Sequence, residues 1–178
     1  ILHVGATPVL VDVREDFLID PREIEKVIAE KTKAILPAHL NGRTCDMDRI
    51  MQIAKKRKLL VIEDSAQALG AMYNNKKAGS FGIAGCFSFY PAKILGAAGD
   101  AGALATNDEL LAQKVRLLRG HGIKSKEEIV LAGFTSRLDN LQAAILNVRF
   151  PYLPKLVARR REIAKIYEEG LRNVKGVV

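Results

Sequence analysis

Leu59-Leu60-Val61-Ile62-Glu63-Asp64 runs without a break into Ser65-Ala66-Gln67-Ala68-Leu69-Gly70. Four apolar residues in a row, then two acids, then small residues, read as one strand followed by a tight turn. A near-continuous apolar strand is the mark of a parallel strand buried on both faces. The flanks support this. Residues 7–13 and 34–40 read as strands, and helices are expected between them. Asp20-Pro21-Arg22-Glu23 has an N-cap, a proline in the first turn and an acid three residues after the cap. Ile24, Val27 and Ile28 form that helix's apolar face. Asp46 opens a second helix with Met47, Ile50, Met51 and Ala54 on one side. Residues 86–90 and 102–106 read as short strands, and 108–119 as a helix that stops at Gly120. Another helix is expected over 138–150. Pro151 and Pro154 break it, and a last helix continues to about Asn173. Alternating strands and helices predict an α/β fold with a mostly parallel sheet and helices on both faces. Ligands of such sheets bind beyond the carboxyl ends of the strands.

Asp64 lies at such an end. A second strand leads into Gly85-Cys86-Phe87-Ser88-Phe89-Tyr90-Pro91-Ala92-Lys93, and the glycine-rich run Gly96-Ala97-Ala98-Gly99-Asp100-Ala101-Gly102 follows. A carboxylate, a hydroxyl and a lysine in this order are parts that a pyridoxal phosphate (PLP) site needs. A lysine amine can join the cofactor aldehyde as a Schiff base and later shuttle a proton. It attacks only when neutral, which apolar and glycine surroundings favour. An aspartate at the pyridine nitrogen keeps the ring an electron sink. Asp64 is the candidate for that role, Gln67 for the ring hydroxyl and Ser88 for the phosphate. Taken singly, each has a plainer reading. Lys93 would be a solvated surface charge, Asp64 a helix cap, and Ser88 would carry no information. The ordered set is what points to the cofactor.

The chain resembles the DegT/StrS-type nucleotide-sugar aminotransferases, a branch of the fold-type-I PLP enzymes. The resemblance spans nearly the whole sequence. It begins in Gly5-Ala6-Thr7-Pro8-Val9-Leu10-Val11-Asp12-Val13 and Thr32-Lys33-Ala34-Ile35-Leu36-Pro37-Ala38-His39-Leu40-Asn41-Gly42. It continues through the Glu63-to-Gly70 and Ser88-to-Lys93 segments. It ends in Gly133-Phe134-Thr135-Ser136-Arg137-Leu138-Asp139 and Gln142-Ala143-Ala144-Ile145-Leu146. The resemblance implies an aspartate-aminotransferase-like large domain, with Lys93 as the Schiff-base lysine, Asp64 at the pyridine nitrogen, Gln67 near the ring hydroxyl and Ser88 on the phosphate. It also implies a homodimer in which the 133–139 loop reaches the partner's phosphate. The family's asparagine there is Thr135 in this chain, a single hydroxyl in place of an amide. Ile94 stands where asparagine is usual, and Ala101 where glycine is. Arg137 has two readings, a ligand for an anionic substrate group or a partner for a structural carboxylate. His39 follows a strand and has two as well, a wall of the site or a capping and packing residue.

The function so implied is transfer of an amino group, with glutamate as the family's expected donor, onto a nucleotide-linked keto-sugar, for amino-sugar and polysaccharide biosynthesis. A PLP sugar dehydratase is an alternative, against which Lys93 counts, because that branch lacks the lysine. A non-catalytic regulatory or binding protein on the same scaffold is another. Residues 1–150 are expected to be the central part of the PLP-binding large domain, with an upstream phosphate-cupping segment before them. Residues 151–178 are expected to be a helix leading toward a C-terminal small domain.

Composition bounds the partners. Lys+Arg number 28 against 20 Asp+Glu, a net charge of +8. The charge is scattered rather than packed into one block, which argues against nucleic acid and suits an anionic nucleotide-sugar. The tight cluster Arg159-Arg160-Arg161 reads as the solvated face of a helix. Aromatic residues are 6% of the chain and tryptophan is absent, which leaves little for a base-stacking platform. Cys45 and Cys86 lack metal-ligand spacing, and His3, His39 and His121 are dispersed, so no metal is expected. No apolar run is long enough to span a membrane and no signal peptide is visible, so a cytoplasmic protein is expected.

Overall fold

A computed structural model describes residues 1–176. Helix α1 (Pro21–Val27) starts where the sequence predicts. Asp20 accepts the Arg22 amide at 2.9 Å, and Pro21 fills the first turn, where a missing N–H leaves nothing unpaired. The Arg22 guanidinium also grips the Asp20 carboxylate, at 2.7 Å for its nearest nitrogen. That contact, with the Arg22 amide, holds the Asp20 pKa down at about 2.

Strand β1 covers only Ala34–Ile35, shorter than the expected 34–40. Pro37 has no amide to give a ladder. The chain nevertheless keeps its course beside the next strand. The Pro37 carbonyl accepts the Asp64 amide, and the His39 amide donates to the Asp64 carbonyl, both at 2.9 Å. A 3-10 turn, Leu40–Gly42, ends this run. Helix α2 (Met47–Arg57) is capped by Asp46, whose carboxylate accepts the Arg49 amide at 3.2 Å. Met47, Ile50, Ile53 and Ala54 are buried, close to the expected face, and Met51 packs at its edge.

Strand β2 (Leu60–Asp64) departs from the expectation of burial on both faces. Val61 and Glu63 are buried while Leu60 and Asp64 are exposed. The reason is one-sided packing. Val61 joins Ile24, Ile35, Ile50 and Ala54 in the main core, beneath α1 and α2. Strands β3 (Met72–Tyr73) and β4 (Lys76–Lys77) then form a hairpin. Its turn residues Asn74 and Asn75 both have positive φ, as a tight hairpin turn requires.

Strand β5 (Ala84–Ser88) lies parallel to β2, and β6 (Gly102–Ala105) runs antiparallel to β5. The sheet order is β1-β2-β5-β6, mixed but mostly parallel. Helix α3 (Glu109–Leu118) is capped by Asp108. A small hairpin follows, β7 (Ile123–Ser125) with β8 (Glu128–Ile129). Helix α4 (Asn140–Arg149) gives way at Pro151 to a short 3-10 turn, and helix α5 (Leu153–Leu171) completes the chain's regular structure. The last two positions of the 151–178 segment lie outside the described residues. The expected strand at 7–13 is not formed. Within it only Val13 makes a bridge, to Ile19, and Val9 and Leu10 stay exposed. An extended apolar segment becomes a strand only beside a partner ladder, and none of the described strands lies alongside it.

Behind β2 sits a buried polar cluster. The Glu63 carboxylate is fully buried. Its Oε1 accepts the amides of Phe81 at 2.6 Å and Gly82 at 2.7 Å. Its Oε2 accepts the Gly79 amide at 2.7 Å and faces His39 Nε2 at 3.0 Å. The Cys45 amide donates to His39 Nδ1 at 3.1 Å, so Nδ1 is an acceptor and the ring proton sits on Nε2. The pair is therefore a neutral imidazole donating to an ionised carboxylate. Burial alone would push the Glu63 carboxyl up. The hydrogen bonds from His39, Gly82, Gly79 and Phe81 outweigh it and hold the group below its ordinary value of 4.5.

Two expectations follow. A depressed carboxylate contributes stability that is present above its unfolded value and is lost as pH falls through its folded value. Glu63→Gln should be less stable at neutral pH, by about 1–3 kcal/mol for each amide left facing an NH2 group. The gap to wild type should narrow in denaturant titrations taken below the ordinary value of 4.5. A gap that widens as pH falls would show that Glu63 is held neutral in the fold, and a constant gap that its pKa does not change on folding. Gly85 pairs with Glu63 in the ladder, and a Cβ on it would lie 2.2 Å from the Gly79 carbonyl oxygen. Gly85→Ala should therefore lower stability by about 1–3 kcal/mol in the same measurement. Unchanged stability would mean that the 79–82 turn is not pinned.

Candidate active site

The parallel register sets the site. Asp64 pairs with Cys86, so Asp64 and Ser88 end their strands at the same edge of the sheet, the edge where open α/β sheets bind ligands. Beyond Asp64 the chain turns sharply. The Ser65 amide donates to the Cys86 carbonyl at 2.8 Å, and the Ala66 amide to Asp64 Oδ1 at 3.0 Å. Asp64 Oδ2 keeps its acceptor capacity on an exposed side chain. Gln67 Oε1 accepts the Asn41 amide at 2.8 Å. That bond fixes the amide's orientation and leaves the Gln67 NH2 group to donate outward.

Lys93 sits in a turn that follows β5. Its amide donates to the Tyr90 carbonyl at 2.8 Å, and the Ala97 amide donates to Phe89 at 2.7 Å. Helix α4 clamps the segment after the lysine. Arg149 Nη1 donates to the Gly96 carbonyl at 2.7 Å, and Gln142 Oε1 accepts the Ala98 amide at 2.9 Å. A Cβ at Gly96 would lie 2.3 Å from the Pro91 carbonyl oxygen, so only glycine lets the turn close so tightly. Leu95 and Ala97 are buried with Leu146 in a second core cluster. Lys93 itself is half-buried, on a backbone held from both sides.

Gln67, Ser88 and Lys93 line one cleft of about 520 Å³, with Asn41 and Gly42 on one wall and α5 on another. Val157, Arg160, Arg161 and Ala164 face it from α5, the i, i+3, i+4, i+7 spacing of one helical face. Arg160 and Arg161 thus belong to the cleft rather than only to a solvated face, while Arg159 pairs with Glu162 at 3.0 Å. Asp64 adjoins the cleft through Ala66, which lines it. A separate groove of about 400 Å³ beside Arg149, Tyr152 and Arg159 holds none of the expected site residues.

The remaining candidates lie elsewhere. The His39 ring is buried against Glu63, not in the cleft wall. Thr135 is exposed, its Oγ1 3.3 Å from His121 Nε2, on a loop bridged to Gly120. Arg137, on the same loop, is exposed as well. Burial, and then the charge of Asp64, raises the Cys86 thiol above its ordinary value, so it is no rival nucleophile to Lys93. Burial pushes Cys45 to about 11. Sequence reasoning missed Glu63 as a separate element. The available signal was an acid inside an apolar strand, with Gly79-Ser80-Phe81-Gly82 downstream to supply amides. No helix among the described residues is long and apolar enough to cross a membrane.

Comparison with known proteins places this arrangement. The family model described as the DegT/DnrJ/EryC1/StrS aminotransferase family matches residues 1–178. A dTDP-3-amino-3,6-dideoxy-alpha-D-galactopyranose transaminase from Aneurinibacillus thermoaerophilus is 53% identical over 95% of this chain and 47% of its own length. A pleiotropic regulatory protein from Geobacillus stearothermophilus is 49% identical over 99% of this chain and 48% of its own. The crystal structure of S. venezuelae DesV in complex with a ketimine intermediate superposes with a TM-score of 0.95 at 42% identity, over 98% of this chain and 47% of that one. The chain spans about half the length of the curated relatives it matches. With a family match along its full length and a fold shared at that level of identity, the chain belongs to the DegT/DnrJ/EryC1/StrS aminotransferase family.

Proposed function

We propose that this chain carries the PLP-binding centre of an aminotransferase that moves an amino group from an amino acid onto a nucleotide-linked keto-sugar. The observation that carries the reading is the meeting of Lys93, Ser88 and Gln67 in one cleft, at the strand end that also bears Asp64. An amine, a hydroxyl, an amide donor and a carboxylate are the donor set that this cofactor's aldehyde, phosphate, ring oxygen and ring nitrogen require. Pyridoxal phosphate, when bound, supplies an aldehyde that takes up amines and a ring that accepts electrons.

The chain's residues then have distinct tasks. Lys93 Nζ would hold the cofactor by its aldehyde, and the same amine would carry the proton taken from the donor's α-carbon and the one given to the sugar carbon. Asp64 Oδ2 holds a proton on the ring nitrogen, since Oδ1 is occupied by the Ala66 amide. The Gln67 NH2 group, turned outward by its bond from Asn41, donates to the ring oxygen. The Ser88 hydroxyl donates to the phosphate. The Oγ already accepts the Tyr90 amide at 3.3 Å, so its own proton is free to turn outward. Arg160 and Arg161 make the α5 wall cationic, which draws an anionic sugar nucleotide inward.

The finer parts of the reading extend beyond the cleft. The product is an amino-sugar for polysaccharide biosynthesis, glutamate is the donor, and the enzyme works in the cytoplasm. The assembly is a homodimer in which Thr135, exposed on its loop, approaches the partner's cofactor phosphate and Arg137 an anionic substrate group. The relative named as a regulatory protein favours a second reading, a cofactor-free regulator on the same scaffold. Lys93 discriminates between the two.

Borohydride added to the full-length protein with PLP should fix the cofactor on Lys93, and Lys93→Ala should abolish transamination. A peptide map that places the reduced cofactor on another lysine would sink the assignment. A protein that takes up no cofactor would favour the regulatory reading. Asp64→Ala should keep cofactor uptake but slow the chemical step by about 10² or more, as loss of a key electrostatic group does. Near-native turnover would leave Asp64 as only a cap for the Ala66 turn.

A further inference from the structure

The cleft's functional groups share a support that none of them touches through its own side chain. His39 and Glu63 are fully buried, and the bonds around them reach three walls of the site. The His39 amide donates to the Asp64 carbonyl, and Pro37, two residues earlier, accepts the Asp64 amide, both at 2.9 Å. Asn41, two residues after His39, donates its amide to Gln67 Oε1 at 2.8 Å. Asn41 holds φ at +56°, an uncommon conformation for a residue with a side chain, and the chain on its N-terminal side is pinned by the His39 ring. On the opposite side Glu63 holds the amides of Gly79, Phe81 and Gly82. Gly79 in turn abuts Gly85 of the strand that ends in Ser88.

We infer that the His39–Glu63 pair is a positioning unit for the cleft, one that sets Asp64 against the cofactor's ring nitrogen and Gln67 against its ring oxygen. The inference rests on the PLP reading of the cleft. His39 has an acceptor on one ring nitrogen and a donor on the other, and both are used, toward the Cys45 amide and the Glu63 carboxylate. An apolar substitute would leave a buried amide without an acceptor and a buried carboxylate short of a donor, and the 37–42 segment would shift to find replacements. A displacement of about 1 Å at reacting groups can cost about a hundredfold in rate. His39 thus acts through the backbone of Asp64 and Asn41 and does not touch substrate.

The test compares three variants of the full-length protein. His39→Gln offers an oxygen and an NH2 at about the spacing of the two ring nitrogens. His39→Asn keeps the acceptor for Cys45 but is too short to reach Glu63. His39→Phe keeps ring bulk and loses both bonds. The measurements are cofactor affinity, the pH titration of the bound cofactor's absorbance, kcat and KM, and amide hydrogen exchange of the cofactor-free protein. The Gln variant should match wild type. The Asn variant should weaken PLP binding, shift the absorbance titration and lower kcat more than it raises KM. The Phe variant should do the same more strongly, approaching about a hundredfold in kcat. In cofactor-free protein the Asn variant should lose exchange protection at the Asn41 and Asp64 amides.

A folded Asn variant with wild-type titration, kcat and protection at both amides would overturn the inference, whatever its melting temperature. So would a Gln variant as impaired as Phe. If the Phe variant does not fold, the Asn and Gln variants decide. If wild-type protein takes up no PLP, the cofactor reading fails separately, and exchange at Asn41 and Asp64 alone decides whether the pair positions this edge.

Discussion

A buried carboxylate is the constraint on which this fold depends. An ionised group cannot be placed in an apolar interior without partners, because the desolvation cost far exceeds the net stability of a domain. Glu63 meets the requirement by gathering amides from residues 79–82 and a hydrogen bond from His39. The amides come from one turn and His39 from another part of the chain, so satisfying one carboxylate fixes three segments, its own strand included, relative to one another. Strand β5 pairs with β2 directly after the 79–82 turn, and the register Glu63 to Gly85 follows where that turn is held. A Cβ on Gly85 would run into the Gly79 backbone, and one on Gly79 into the Phe87 ring. The local geometry and the choice of glycine are two sides of the same requirement.

From that anchor the site is built in alternation. Side chains on a strand point to opposite faces in turn, so Glu63 is buried and Asp64, one residue on, is exposed at the sheet's edge. The lysine segment needs its own support because it follows the strand as a turn rather than as regular structure. Arg149 and Gln142 of α4 provide it, through the Gly96 carbonyl and the Ala98 amide. Functional groups on loops are only as well placed as the elements that hold the loops, and here a helix distant in sequence does the holding.

Much of this was legible in the sequence, for identifiable reasons. Helices α1, α2 and α3 start at Asp20, Asp46 and Asp108 because a short acid can accept amides that the first turn leaves unpaired. Asp64, Gln67, Ser88 and Lys93 stood out because their order around two strands matches a chemistry. Other features depended on partners far away in sequence. The 7–13 segment has a strand's composition, yet only Val13 finds a bridge. The 34–40 segment loses its ladder at Pro37. The burial of Glu63 cannot be read from an acid next to another acid, since the amides that neutralise its cost lie 16 to 19 residues on. The side that Arg160 and Arg161 face depends on how α5 packs, and there Val157 comes within 3.1 Å of a Cβ position on Gly70. The same face of α5 carries Arg160 and Arg161 into the cleft lining.

The most direct test of the account is a crystal structure of the full-length protein grown with PLP. Continuous density from Lys93 Nζ to the cofactor's aldehyde carbon is expected, with Asp64 Oδ2 within hydrogen-bonding distance of the ring nitrogen and the Gln67 NH2 group facing the ring oxygen. A cofactor bound elsewhere, or one in this cleft with Asp64 turned away from the ring nitrogen, would contradict it.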